Sequence, residues 1–425
     1  MIGESGGQTK GRFLCLKKPR ICCVFMPSPS RLTAYAKLTA WLCLLIGWAR
    51  ALQIFGQNFW ARLNASPHLP DLPCNAPQCD FSLFWPAGLL VGQGHAAVAY
   101  QPHLLQGLRE TLFWHHIEPT AWIYPPPALF AVWPLKFFSF ETGFWAWSFW
   151  LLVLAVGVLR LAGLGWRIIG LALLSPAALW NFQLGQFGLL TGAILVAGLA
   201  LVERRPLLAG GVLAFLVIKP QPGLLAPIGF LARGSWRAIA AGAVMGLVLM
   251  TLSYWAFGAA AWAGYLSDGL AMARYILQLP LPDSSGYVQF GVSVFWALRS
   301  LGAGLGVCYA AQGAISLAAA ATTWVVWRRC ADATDRLALT VFLSLLVTPY
   351  GYVDDMVAWS IAILVLAQRR AWHIDLLDAL AFLWPLLGPA LFTATGVLFT
   401  PLVVVLVAAR TWRRAAKAGA ETPSG

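Results

Sequence analysis

Charge is what this chain has least of. Of 425 residues only 11% are Asp, Glu, Lys or Arg, while 60% are hydrophobic, and acids are the scarcer kind, 16 against 29 basic residues for a formal net charge of +13. A soluble domain is about a quarter charged and a little under half apolar, so a water-soluble enzyme is excluded. The strict polar/apolar alternation of an outer-membrane barrel is missing too. Instead the apolar residues fall in blocks of roughly 20, each able to cross a hydrocarbon core of about 30 Å as a helix. There is no soluble domain, low-complexity tract or strong internal repeat, which counts against a transporter built from inverted halves. Histidine is scarce, and His68, His95, His103, His115 and His116 show no regular ligand spacing, so neither a metal site nor a cofactor is expected. A basic excess on such a chain belongs to cytoplasmic loops, and nucleic acid is not an expected partner.

The position of the charges sets the topology. Residues 1–37 carry Lys10, Arg12, Lys17, Lys18, Arg20, Arg31 and Lys37 against Glu4, and read as a basic cytoplasmic N-terminal tail. A retained anchor follows at about Leu38 to Gln57, and the polar interval 59–123 then forms a long first periplasmic loop. Basic clusters recur at Arg160/Arg167, Arg204/Arg205, Arg233/Arg237, Arg328/Arg329/Arg336, Arg369/Arg370 and Arg410/Arg413/Arg414, each a cytoplasmic turn, with 411–425 as a cytoplasmic tail. Between them the midpoints of the apolar runs are polar: Asn181 to Gln186, Lys219 to Gln221, Trp262 to Tyr287, and Pro349 to Asp355. These are expected to face outward together. Two stretches, Tyr124 to Arg160 and Val288 to Trp327, hold two apolar blocks where an odd number of crossings is needed, so one block of each pair can be re-entrant or interfacial. The chain reads as an all-α polytopic membrane protein, with one integral membrane domain over residues 38–410 and roughly 11–13 transmembrane helices in the cell (inner) membrane.

The outer segments carry the candidate chemistry. Cys74 and Cys79, with four residues between them on the oxidising face, can close a disulfide loop. Asp80 follows at once, where polar loop gives way to the aromatic run Phe81 to Leu90. It is either a partly desolvated general base or simply a helix N-cap. Tyr124 with Pro125 to Pro127 makes a rigid lead into a helix. Asn181, Gln183 and Gln186 offer carboxamides to a hydroxyl-rich ligand, or cap a turn. Lys219, beside Gln221, is either a snorkelling lysine or a fixed cation for an anionic head group. Arg274 and Arg109 are further cations of that kind, and Arg50 inside the first span is costly unless paired. Of the adjacent acids Asp354 and Asp355, one is expected to cap a helix and the other to face a cavity.

Taken in order, Asp80-Phe, Tyr124-Pro-Pro, Leu184-Gly-Gln-Phe187, Arg205-Pro-Leu-Leu-Ala-Gly210, Lys219-Pro-Gln221 and the late Pro349-Tyr-Gly resemble glycosyltransferase family 87. These are GT-C-type integral membrane transferases that include polyprenol-phosphate-mannose-dependent mannosyltransferases. The resemblance implies a GT-C-like helical bundle, a polyprenyl-phosphate-linked hexose donor, a lipid or glycan acceptor, periplasmic chemistry with inversion, and Asp80 as general base. It also implies Lys219, Arg274 and Arg109 at the donor phosphate, with Tyr124, Asn181, Gln183, Gln186, Gln221 and Asp355 around the substrates. One departure stands out. Many members carry histidines after the late Pro; here Tyr350 and Tyr352 take those places, and a tyrosine donates a hydrogen bond to a phosphate but brings no positive charge. The competing reading is a transporter or flippase of lipid-linked sugars, which shares the polar outer tips but needs polar breaks in mid-span, where only Arg50 qualifies.

Overall fold

The computed structural model describes residues 29–63, 80–113, 122–281 and 285–421. Cys74 and Cys79 lie outside the described residues. Everything regular among the described residues is helical, and an isolated bridge between Gly291 and Tyr352 is the nearest approach to a strand. Among the described residues, five continuous helical segments are long and apolar enough to cross a membrane: Ala34–Trp60, Phe140–Leu161, Trp236–Gln278, Leu305–Arg329 and Leu376–Thr395. The remaining apolar runs are cut into shorter pieces, so the roughly 11–13 expected spans are not that many uninterrupted helices. Proline and glycine make the cuts. Helix α1 (Pro29–Leu63) starts inside the basic tail and runs through the expected anchor. The expected first outer loop contains α2 (Phe81–Gly92) and α3 (Pro102–Phe113).

Both ambiguous stretches resolve the same way. In the first, residues 126–137 form only short helical turns at Pro126 and Pro134, and α4 (Phe140–Leu161), capped by Ser139, is the long helix. In the second, Val294–Ser300 is two turns long, and α10 (Leu305–Arg329) crosses. Between them, after a short helix at Trp166–Leu173, come α5 (Pro176–Leu184), α6 (Gly188–Leu201), α7 (Pro206–Ala214), α8 (Ala226–Arg233) and α9 (Trp236–Gly264). The expected outer tip at Trp262 is instead helical: α9 bends at Gly258, φ +81°, and continues through a π turn at Tyr265–Gly269 to Gln278. The chain closes with α11 (Ala333–Ser344), α12 (Val357–Arg369), α13 (Leu376–Thr395) and α14 (Thr400–Glu421).

Helix α6 is the axis of the bundle. Nearly every side chain on it is buried, as expected of a helix that is apolar all round. At its far end the basic turns meet in one ion-pair belt. Glu203 joins Arg336 and, at 3.5 Å, Arg233; Arg369 bridges Asp332 and Asp335, both at 2.8 Å; Arg410 joins Asp375 at 2.6 Å and Asp378 at 2.5 Å. Turns separated by up to two hundred residues in sequence are thereby gathered at one end.

Where two helices cross closely, glycine is required. The run ending at Gly210 puts α7 against α9 so tightly that a Cβ on Gly210 would overlap the Ala238 carbonyl and stand 2.8 Å from the Gly242 nitrogen, whereas Gly211 faces open space. Gly210→Ala should therefore destabilise the protein by about 1–3 kcal/mol through overpacking. Gly211→Ala should be neutral or stabilising by up to about 1 kcal/mol through helix propensity. Thermal midpoints of the two variants in one detergent check the contrast.

Candidate active site

At the other end of α6 the polar midpoints converge. The backbone N–H of Asp80 donates to the Leu184 carbonyl at 3.0 Å, and its own carbonyl accepts from Leu83 and Phe84 to start α2. Asp80 occupies the N-cap place, yet its side chain makes no cap bond. The carboxylate is turned to another partner: Oδ2 accepts from Gln186 Nε2 at 3.1 Å. That contact exists because α5 stops where it does. Ser175 caps its start by accepting from the Ala178 N–H, and Gly185 ends it in the left-handed region, φ +75°, where a Cβ would stand 2.7 Å from that of Phe81. Trp147 Nε1 holds the Gly185 carbonyl at 2.7 Å, and the ring of Phe187 stacks on Phe84 with centroids 5.4 Å apart.

Tyr124 completes this first group. Its hydroxyl lies 3.2 Å from Gln186 Nε2 and 3.4 Å from Gln186 Oε1, while its carbonyl accepts from the Tyr100 hydroxyl at 3.0 Å. Arg109, buried on α3, donates from Nε to the Ser82 carbonyl and from Nη2 to Ser82 Oγ, which braces it across the first turn of α2.

The second group forms around Lys219. A residue before proline is pushed out of the helical region, so Pro220 ends the apolar run Pro206–Ile218 and leaves Lys219 at φ −147°, ψ 86°. Its ammonium is buried between Asp354 Oδ2 at 3.2 Å and Asp355 Oδ1 at 2.5 Å. Asp355 Oδ2 also accepts from the Tyr352 N–H at 3.2 Å, so this one carboxylate caps the start of the Val353–Met356 turn and faces the lysine at once. Asn181 ties the two groups together: Nδ2 donates to the Asp354 carbonyl at 2.7 Å, and Oδ1 accepts from the Leu189 N–H at 3.0 Å. Gly188 leaves room for that approach, since a Cβ there would overlap the Asp354 carbonyl.

Burial dominates the electrostatics. It pushes the Asp80 carboxyl up to about 7, with the Asp354 charge adding to the effect and the Gln186 hydrogen bond, Lys219 and Arg109 opposing it. Burial likewise raises Asp355 to about 6, against the pull of Lys219. For Lys219 burial disfavours the charge, but Asp354 and Asp355 outweigh it and hold the ammonium well above the usual lysine range. Arg109 is lowered to about 10 by burial, with Asp80 opposing. The centre thus sets three carboxyl groups against two cations, and Asp80 is the group poised to exchange a proton near neutrality.

Most expected site residues are brought together. Asp80, Tyr124, Gln186, Asn181, Lys219 and Asp355 form the two linked groups, and Arg109 and Tyr352 border them. Gln221 and Asp355 line a cavity of about 10 Å³, enough for one water molecule. Gln183 is buried on α5. Arg274 and Tyr350 sit farther out; the Arg274 guanidinium donates to Leu270 of its own helix at 3.3 Å, and its charge bears on Tyr350. Sequence reasoning named Asp354 only as one of an acid pair and passed over Ser82 and Tyr287. Asp354 shares Lys219, Ser82 braces Arg109, and Tyr287 lies within electrostatic reach of Asp80 and Arg109. Asp354 was legible as half of an acid pair; no local signal marked Ser82 or Tyr287.

Removing the ammonium leaves two buried carboxylates without their counter-charge. Lys219→Met should cost about 3–5 kcal/mol of stability, with Asp355→Asn in the same chain restoring part of it. Denaturation midpoints of the single and double variants measure both effects.

Residues 122–349 match the family model described as Glycosyltransferase family 87. No curated protein and no solved structure matches. The matched stretch holds Tyr124, Asn181, Gln186 and Lys219, while Asp80 and the Asp354–Asp355 pair lie outside it and join the site through the hydrogen bonds and ion pairs described above. More than half of the chain is covered, and the protein is a membrane glycosyltransferase belonging to glycosyltransferase family 87.

Proposed function

We propose that the protein transfers a hexose, with mannose the first candidate, from a polyprenyl-phosphate-sugar donor to a lipid or glycan acceptor on the periplasmic side of the inner membrane. Both termini are then cytoplasmic, on the side of the ion-pair belt. The observation that carries this reading is the Asp80 carboxylate, released from helix capping, held at Oδ2 by Gln186 and raised by burial to about 7. With Oδ2 occupied, Oδ1 is the oxygen for an incoming hydroxyl. Asp80 takes the hydroxyl proton as the acceptor oxygen forms its bond to C1 of the sugar. The C1–O bond to the lipid phosphate breaks on the opposite face, and the phosphate leaves with the electron pair, inverting the anomeric centre. Negative charge grows on that phosphate, and a cation aimed at it lowers the barrier. Arg109, braced through Ser82, supports this role directly. Lys219 serves it only while shared with Asp354 and Asp355.

Purified protein incubated in detergent with radiolabelled polyprenyl-phosphate hexoses and a membrane lipid extract should move label to a new product. Asp80→Asn should lower turnover about 10²–10⁴-fold while still binding donor lipid. Use of a nucleotide sugar in place of every lipid-linked donor would overturn the donor assignment, and undiminished turnover in Asp80→Asn would overturn the base. In proteoliposomes, label crossing the bilayer without transfer would favour the flippase.

The base must be ionised to accept a proton, so kcat/KM should rise with pH through an acid limb near 7. The Gln186 hydrogen bond favours the ionised form, so Gln186→Leu should shift that limb to higher pH, and a pH–rate profile of the two proteins decides it. An unmoved limb would remove Gln186 from any part in tuning the base.

A further inference from the structure

A second cavity, of about 620 Å³, opens at the ion-pair belt, the opposite end of the buried helices from Asp80. It lies where four helix ends meet: Glu203 just beyond α6, Pro206 starting α7, Arg233 ending α8, and Trp236 with Arg237 starting α9. Trp236 is 65% exposed and is the first residue of the apolar span Trp236–Gln278, so its indole marks the level at which hydrocarbon gives way to head groups. Arg233 and Arg237 are exposed on either side of it, and Arg204 and Arg205 are exposed in the neighbouring turn. One acid, Glu203, lines the cavity; it reaches Arg233 at 3.5 Å but is more closely engaged by the buried Arg336. Positive charge is therefore in excess. The adjoining surface is apolar, with Leu207 63% exposed.

We propose that this cavity binds the head group of an anionic phospholipid of that leaflet, with Arg233 and Arg237 on the phosphate. Trp236 and Leu207 lie along the first part of the acyl chains. Guanidinium groups present paired donors to phosphate oxygens, and basic pockets between membrane helices are suited to anionic head groups. The apolar rim selects a lipid over a soluble phosphate, which has no chain to lay against it. The site is separate from the sugar-transfer centre and does not depend on the donor proposed above.

Native mass spectrometry of the full-length protein, taken from nanodiscs of mixed phosphatidylglycerol and phosphatidylcholine, reads the outcome. Wild-type protein should retain phosphatidylglycerol in preference to phosphatidylcholine. Arg233→Gln with Arg237→Gln should weaken that retention about thirtyfold, or about 2 kcal/mol at 1.4 kcal/mol per tenfold. Arg413→Gln with Lys417→Gln, both exposed on α14, should leave it unchanged. If the double variant does not fold, Arg237→Gln alone serves, since Arg237 has no ion-pair partner among the described residues. Equal retention by wild type and cavity variant would overturn the proposal. So would equal loss in the α14 variant, which reports diffuse charge attraction, or a thermal stabilisation by inorganic phosphate matching that by phosphatidylglycerol.

Discussion

The contact on which the candidate site depends is the buried ammonium of Lys219 between Asp354 and Asp355. Three ionised groups taken out of water are costly, and their mutual attraction repays that cost only with close geometry. Geometry is what the arrangement enforces. The lysine comes from the break after Pro206–Ile218 and the two acids from the turn before α12, so the pair joins chain segments 135 residues apart. From there the order propagates: Asn181 reads the Asp354 carbonyl, the α5–α6 turn follows Asn181, Gln186 sits in that turn, and Gln186 holds Asp80. A disturbance at Lys219 reaches Asp80 through four contacts, none of which involves a substrate.

The same chain of contacts explains why the centre carries a net deficit of positive charge. Two cations face three carboxyl groups, and Asp80, the one without a direct cationic partner, is raised by burial to about 7. A phosphate entering this space meets carboxylates as well as cations. In many members of the family histidines follow the late proline; here Tyr350 and Tyr352 stand there. Tyr352 is half-buried, its N–H given to Asp355, and it supplies a hydroxyl rather than charge.

Much of this was legible in the sequence. The composition required a helical membrane protein, and the separation of basic turns from polar tips foretold two polar ends, which the ion-pair belt and the Asp80–Lys219 centre now occupy. Asp80, Gln186, Asn181 and Lys219 were visible because each interrupts an apolar context. The continuity of the helices was not legible, because hydropathy registers apolar length alone: Pro126 and Pro134 divide the first block of Tyr124 to Arg160 into short turns. Nor did hydropathy foresee that the polar stretch after Trp262 continues a helix, since the bend at Gly258 absorbs the change of direction. Ser82 and Tyr287 acquire their places through tertiary packing alone, and single-residue chemistry has no way to announce that.

The short buried helices carry one more consequence. From Gly188 to Glu203 along α6, and from Asp355 to Arg369 along α12, the polar centre and the ion-pair belt are separated by about 15 residues of helix, roughly 22 Å. A hydrocarbon core is about 30 Å thick. With the belt at one water interface, the polar centre lies about 8 Å below the level of the other, whereas helices such as Phe140–Leu161 and Leu305–Arg329 are long enough to span the full thickness. Under the proposed reaction, an acceptor hydroxyl would have to reach that depth to meet Asp80, so the reach of the acceptor below its own head group becomes a criterion of selection in its own right.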